Sequence, residues 1–183
     1  TELLDRGGLD CAPPFEKAHF LDGFGHPEGR FRFSPDWSAI GPNHALMPVF
    51  PDHLAVIEEV SEDMPFRLVP APARHFLNST FTETESSRAG QKRPTVLVHP
   101  RTAAALGINE GDLVRLGNRR GSVRLHARLF DGVQPATLVV ESQWPNASFV
   151  DGIGINVLVG AEPGYPNGGA AYHDTVVWLR PER

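Results

Sequence analysis

Apolar and polar positions are most regularly ordered between Pro94 and Phe130, PTVLVHPRTAAALGINEGDLVRLGNRRGSVRLHARLF. Thr95 to His99 is a short apolar run that predicts a buried strand. Pro100 opens a helix where its missing N–H does no harm, Thr102 to Leu106 continue it, and Gly107 closes it as an αL-tolerant residue. Asn109 to Asp112 predicts a turn and Leu113 to Leu116 a second strand. Gly117 to Gly121 turns the chain back, and Val123, Leu125 and Ala127 alternate with Arg124, His126 and Arg128 on a third strand.

The flanks carry weaker patterns. Phe66 to Val69 predicts a buried strand, followed by a rigid extended exit at Pro70-Ala71-Pro72-Ala73. Ala136 to Glu141 and Thr175 to Leu179 predict two more strands, with a turn at Gly132 to Gln134 and a long Gly/Pro loop at Gly160 to Gly169. Residues 82–93 read as a polar loop. Before Pro65 the chain is irregular: Arg30 to Phe33 alternates like an edge strand, and Asp52 to Val60 suits a short helix or an irregular strand. Roughly six or seven strands in ~120 residues suit a closed barrel better than a sandwich with long edges. The expected architecture is mainly β with short helices, an irregular extended segment over residues 1–64 preceding a barrel over 65–183.

Composition adjusts this picture modestly. The 183 residues include 18 glycines and 17 prolines, which favour loops and short strands over long helices. A net charge of −5 argues against a broad nucleic-acid face. The local basic cluster (Arg88, Lys92, Arg93, Arg115, Arg119, Arg120, Arg124, Arg128) suits a small anion, but a solvated face explains most of it. The single Cys11 makes no internal disulfide and belongs to no cluster-ligating set. No apolar run reaches membrane-spanning length. The start, TELLDRGGLD, lacks Met and reads as a cut inside a longer protein. These features favour a soluble cytoplasmic protein, with export of the parent left open.

Candidate chemistry lies in the flanks. Asn78-Ser79-Thr80 sets an amide and two hydroxyls between Phe76 and Phe81, a surround for a fused ring with polar edges; an ordinary turn is the plain alternative. Asn156 follows Gly152 and Gly154, which permit close backbone approach to a ligand, though an Asn closing a turn reads the same way. No GxxxxGK[ST] phosphate loop occurs. His173 and Asp174 are adjacent, so on a strand they would face opposite ways and form no dyad. His75 suits a structural role, the remaining histidines show no metal-ligand spacing, and Ser142 sits in no nucleophile elbow. Arg74 and Arg119-Arg120 have the fork to pair a pyrophosphate, but surface charge in a hairpin turn explains Arg119-Arg120 better. Trp144 and Trp178 suit barrel packing.

The motifs FRLVPAPARHFLNSTF (66–81), HPRTAAALGINEGDLVRLGNRRGSV (99–123), WPN (144–146), GINVLVG (154–160) and YHDTVVWL (172–179) occur in order. Together they resemble the C-terminal molybdopterin-dinucleotide-binding domain of molybdenum and tungsten oxidoreductases, the dimethyl sulfoxide reductase superfamily. HPEGRFRFSPDW (26–37) resembles the linker strand before that domain. The resemblance implies a double-psi β-barrel, aspartate-decarboxylase-like in fold. It also implies a molybdopterin guanine dinucleotide, usually two per Mo or W, in the full-length enzyme, contacted at positions matching Ala71, Pro72, Arg74, His75, Asn78, Ser79, Thr80, Asn156 and His173. The family's metal ligand and iron–sulfur cysteines lie in other domains, and Cys11 matches neither, so no catalytic or metal-ligating residue is expected here. As partners, the resemblance implies the other domains of a larger catalytic polypeptide and a small-molecule substrate. Net charge and the lack of a long apolar run lead to the expectation of no nucleic acid and no membrane segment, and the isolated chain is expected to bind cofactor weakly or not at all. Two rivals stand beside it: a self-processing decarboxylase-like enzyme cleaved at Gly121-Ser122, and a substrate- or protein-recognition barrel.

Overall fold

A computed structural model describes residues 2–40, 44–53, 55, 57–164, 169–170 and 172–182. The chain divides into two compact units, residues 1–53 and 54–183.

The first unit holds two short helices, α1 (Glu2–Arg6) and α2 (Phe15–Ala18), and two 3-10 turns, Trp37–Ala39 and His44–Leu46. None of its described residues is buried. Arg30 to Phe33 is not the expected edge strand. A strand needs a ladder partner, and these residues take other contacts instead. Phe31 stacks edge-on against Phe33 at 5.0 Å and against Phe24 at 5.4 Å. Arg32 turns back to the Glu28 carboxylate at 2.6 and 2.9 Å.

The second unit is a closed six-stranded barrel. Its strands are β1 (Phe66–Ala71), β2 (Thr95–Val98), β3 (Leu113–Gly117), β4 (Ser122–Leu129) and β5 (Thr137–Glu141). A two-residue pair, β6 (Pro163–Gly164) and β7 (Gly169–Ala170), lies outside the barrel, and β8 (Thr175–Pro181) completes it. The strand order is β1-β5-β2-β4-β3-β8, closed by β8 on β1. Two pairs, β1 with β5 and β2 with β4, are parallel; the other four are antiparallel. This interlocking of two parallel pairs is the double-psi barrel.

Period-two alternation fills the interior. Val114 and Leu116 of β3, Val123 and Leu125 of β4, and Leu138 and Val140 of β5 are buried, with Val96 and Val98 of β2 and Val177 and Leu179 of β8. Two helices lie between strands, α3 (Glu85–Gln91) and α4 (Pro100–Leu106). The second buries Ala103 in the core, followed by buried Ile108. His99 is its N-cap, with Nδ1 accepting the Arg101 N–H at 3.0 Å, and Gly107 ends it at φ +67°. Thr102 Oγ1 donates to the Pro135 carbonyl at 2.6 Å, pinning α4 to the turn before β5.

Residues 82–93 depart from the expected loop, since α3 forms within them. Its polarity hides it, because no apolar stripe marks it and none of its residues is buried. What lets it dock is Gly90, where a methyl group would sit 3.0 Å from the His75 ring. Lys92, at φ +69°, then turns the chain toward β2. The described residues of 52–60 form neither helix nor strand. Side-chain bonding holds this stretch instead: the Glu58 carboxylate accepts the Val176 N–H at 2.8 Å and pairs with Arg120 at 2.5 Å. Among the described residues no helix is long and apolar enough to cross a membrane.

Candidate functional site

The parallel pairing of β1 and β5 sets Ala71 beside Glu141, so both strands end at the same level. The chain leaving each end helps form a cleft of about 840 Å³. Its apolar wall includes Leu68, Pro70, Val140, Ile155 and Val159. Its polar groups are the amides of Asn78, Gln143 and Asn156, the hydroxyls of Ser142, Tyr172 and Thr175, and the His173 imidazole.

Each polar group has a local cause. Leu77 and Thr80 exchange backbone hydrogen bonds at 3.1 and 2.8 Å, closing a two-residue turn on Asn78 and Ser79. Asn78 takes φ +52°, a left-handed conformation that Asn tolerates better than most side chains. Ser142, at φ +73°, stitches the two strand exits together. Its N–H donates to the Ala71 carbonyl at 2.8 Å and its hydroxyl to the Asn78 carbonyl at 3.3 Å.

Asn156 lies in a 3-10 turn, Ile155–Leu158, anchored from behind. Buried Asn118 donates Nδ2–H to the Leu158 carbonyl at 2.7 Å. Gly154 makes room for the Asn146 side chain, since a methyl group there would collide with the Asn146 amide oxygen. His173 and Asp174 precede β8 rather than lying on it, and Asp174 takes φ +64°. Arg67 Nη1 donates to the Asp174 carbonyl at 2.7 Å and to the Glu58 carbonyl at 2.9 Å, fixing the approach to β8.

The structure therefore divides the expected contact residues. Ala71, Pro72, Asn78, Asn156 and His173 meet in this cleft. Arg74 and His75 line a second, more polar cleft of about 590 Å³ beside the end of α3. Ser79 and Thr80 line neither; the Ser79 carbonyl accepts from Thr82 Oγ1 at 2.9 Å. Gln143, Ser142 and Tyr172 join the first cleft without having stood out in the sequence. Ser142-Gln143 follows β5 as Ala71-Pro72 ends β1, but only the pairing of those strands reveals the equivalence.

The basic cluster is mostly paired. Arg115 reaches Glu182 at 3.0 and 2.7 Å, Arg124 reaches Asp151 at 2.7 and 2.8 Å, and Arg120 reaches Glu58. Hydrogen bonds from Arg115 and Arg124 hold the Glu182 and Asp151 carboxyls below their ordinary range. Trp144 is buried and meets Phe76 edge-on at 4.8 Å, as barrel packing requires. Ser122 is a ladder residue opposite Gly117, its hydroxyl accepting from Arg115 at 3.3 Å. Among the described residues no three His, Cys, Asp or Glu side chains gather to hold a metal ion.

A ring system with donors and acceptors on its edges needs short amides and hydroxyls between apolar walls, and the first cleft supplies that set. The fold and cleft define a ligand-binding double-psi barrel. Residues 66–176 match the model of the molydopterin dinucleotide binding domain, and the chain belongs to that family. It is 32% identical over 97 residues to the probable oxidoreductase YoaE of Bacillus subtilis, covering 53% of this chain and 14% of that protein. It is 28% identical over 114 residues to a putative dimethyl sulfoxide reductase catalytic chain of Halobacterium salinarum, covering 62% and 14%. The trimethylamine-N-oxide reductase of Haemophilus influenzae is 33% identical over 88 residues, covering 46% and 11%. The chain thus spans about one-seventh of the length of the first two relatives. Among solved structures, acetylene hydratase from Pelobacter acetylenicus shares the fold, with a TM-score of 0.64 at 14% identity over 87% of this chain and 24% of that one.

Proposed function

We propose that this chain is the C-terminal cofactor-binding portion of the catalytic subunit of a molybdenum or tungsten oxidoreductase. The observation that carries the reading is the convergence of Ala71, Pro72, Asn78, Asn156 and His173 on one cleft of a family barrel. When bound, a molybdopterin guanine dinucleotide supplies two-electron redox or oxygen-atom-transfer chemistry at its metal. This chain's residues bind and orient. The amides of Asn78 and Asn156 address the ligand's donor and acceptor edges, His173 offers an imidazole N–H, and Pro70, Pro72 and Ile155 form apolar walls. The rest of the parent polypeptide supplies the other half of the interface, so the isolated chain binds cofactor weakly or not at all. Residues 1–64 serve as a linker that wraps neighbouring parts of that polypeptide, and the lone exposed Cys11 suits a cytoplasmic setting.

The test uses the full-length polypeptide containing this chain. Asn156→Ala and His173→Ala should each lower retained cofactor about tenfold, as a lost hydrogen bond to a buried ligand predicts. Metal analysis and released-pterin fluorescence read the loss, and circular dichroism checks the fold. Full cofactor content in the double variant overturns the reading.

A further inference from the structure

The second cleft differs in kind from the first. Arg74 enters it from the exit of β1, Lys92 and Arg93 from the turn after α3, and Arg128 from β4. Two carboxylates line it with them: Glu110, which accepts the Leu129 N–H at 2.6 Å, and Glu141, which lies 4.0 Å from Arg128. Most of the barrel's other arginines are satisfied by carboxylates. Among the described residues, Arg74, Lys92 and Arg93 have none within 4.0 Å. Three cations with no carboxylate within 4.0 Å thus converge, with Arg128, Glu110 and Glu141, on a cleft of about 590 Å³, where cations outnumber carboxylates four to two in a chain whose net charge is −5.

The convergence is built by the fold. Gly90 lets α3 press against the His75 ring, and the left-handed Lys92 reverses the chain there, its N–H donating to the Arg88 carbonyl at 2.7 Å. The positive field also reaches β4, where burial and then Arg93 hold the His126 imidazole below its ordinary value. Like charges gathered at one concave site repel one another unless an anion joins them. Two guanidinium forks and an ammonium suit the oxygens of a phosphate or diphosphate.

We propose that the Arg74–Lys92–Arg93 cleft binds a phosphate-bearing anion, most favourably a diphosphate. The proposal depends on the preceding reading only for which molecule carries that group, the dinucleotide's own pyrophosphate or a separate phosphorylated compound.

Titration of the 183-residue chain with inorganic pyrophosphate in low-salt buffer, followed by calorimetry and amide chemical shifts, tests this. Saturable binding is expected, stronger than for inorganic phosphate or sulfate. Lys92→Ala combined with Arg93→Gln should weaken it at least about fivefold, and Arg74→Lys, which keeps the charge but loses the fork, should weaken it less. Arg119→Gln should leave it unchanged. Absence of saturable binding, or binding unaltered by the double substitution, overturns the proposal. Repeating the titration on the cofactor-loaded full-length polypeptide separates the two sources: blocked binding assigns the site to the dinucleotide's pyrophosphate, and retained binding assigns it to a separate anion. Cofactor retention in Asn156 and His173 variants is read independently, so failure of one idea leaves the other distinguishable.

Discussion

Asn118 reaches 40 residues along the sequence to donate to the Leu158 carbonyl at 2.7 Å, joining the β3–β4 turn to the turn that carries Asn156. Its own Oδ1 accepts the Arg120 N–H at 2.9 Å. One buried amide thereby shapes a tight turn and holds the turn that carries Ile155 and Asn156 of the candidate cofactor cleft.

Asn118→Ala removes both bonds and leaves a buried carbonyl with only the longer contact from Arg120 at 3.3 Å. A loss of about 1–3 kcal/mol is expected. Urea unfolding checks it through a lower midpoint at unchanged slope.

Gly117 faces the Trp178 ring, and a methyl group there would also lie 2.9 Å from the Gly121 carbonyl oxygen. Gly117→Ala should destabilise the barrel by about 1–3 kcal/mol through overpacking. The near-ultraviolet circular dichroism of the tryptophans should change with it. A variant as stable as the parent would refute this account of the hairpin.

Glu58 links residues outside the strands to β8 through the Val176 N–H at 2.8 Å. Glu58→Ala strands that amide, and a cost of about 1–3 kcal/mol follows. Glu58→Gln retains an acceptor and should recover part of the loss. Hydrogen exchange at Val176 should quicken in the Ala variant and only slightly in the Gln variant.

Stability should fall in two stages on acidification. The His126 pKa is lowered from 6.5 in the fold by burial and by Arg93, so the unfolded chain binds this proton more readily and stability starts to drop as pH falls below about that value. Glu182 and Asp151 are depressed from 4.5 and 3.8 by Arg115 and Arg124, so their contribution is full above those values and is lost as pH falls through the folded-state pKa values. Denaturation midpoints between about pH 8 and about pH 3 measure both. His126→Gln should remove the first stage alone, and Asp151→Asn should shallow the second.

The central strand–helix–strand unit was legible because its signals are local. Pro100, Gly107 and the alternation from Val123 to Ala127 act within a few residues, and the structure follows them. The fold class was legible through the order of five motifs and is the barrel observed. Alternation misled at Arg30 to Phe33, where the rings stack on one another instead of a strand forming. Polarity misled at Glu85 to Gln91, because a helix with no apolar stripe carries no periodic signature and depends on the fit of Gly90 against His75.

The sequence by itself determined which residues of the barrel face inward and where the helix from Pro100 and most turns begin and end. Those properties follow from side-chain periodicity and backbone preference over a few residues. Only the tertiary structure decided what meets what. Periodicity says which face of a strand is buried but not which strand lies beside it, and the parallel pairing of β1 with β5 is what brings Ser142 and Gln143 to Ala71 and Asn78. The same pairing, with α3 docked on His75, turns Arg74 and His75 away from their neighbours along the chain into a separate cationic cleft.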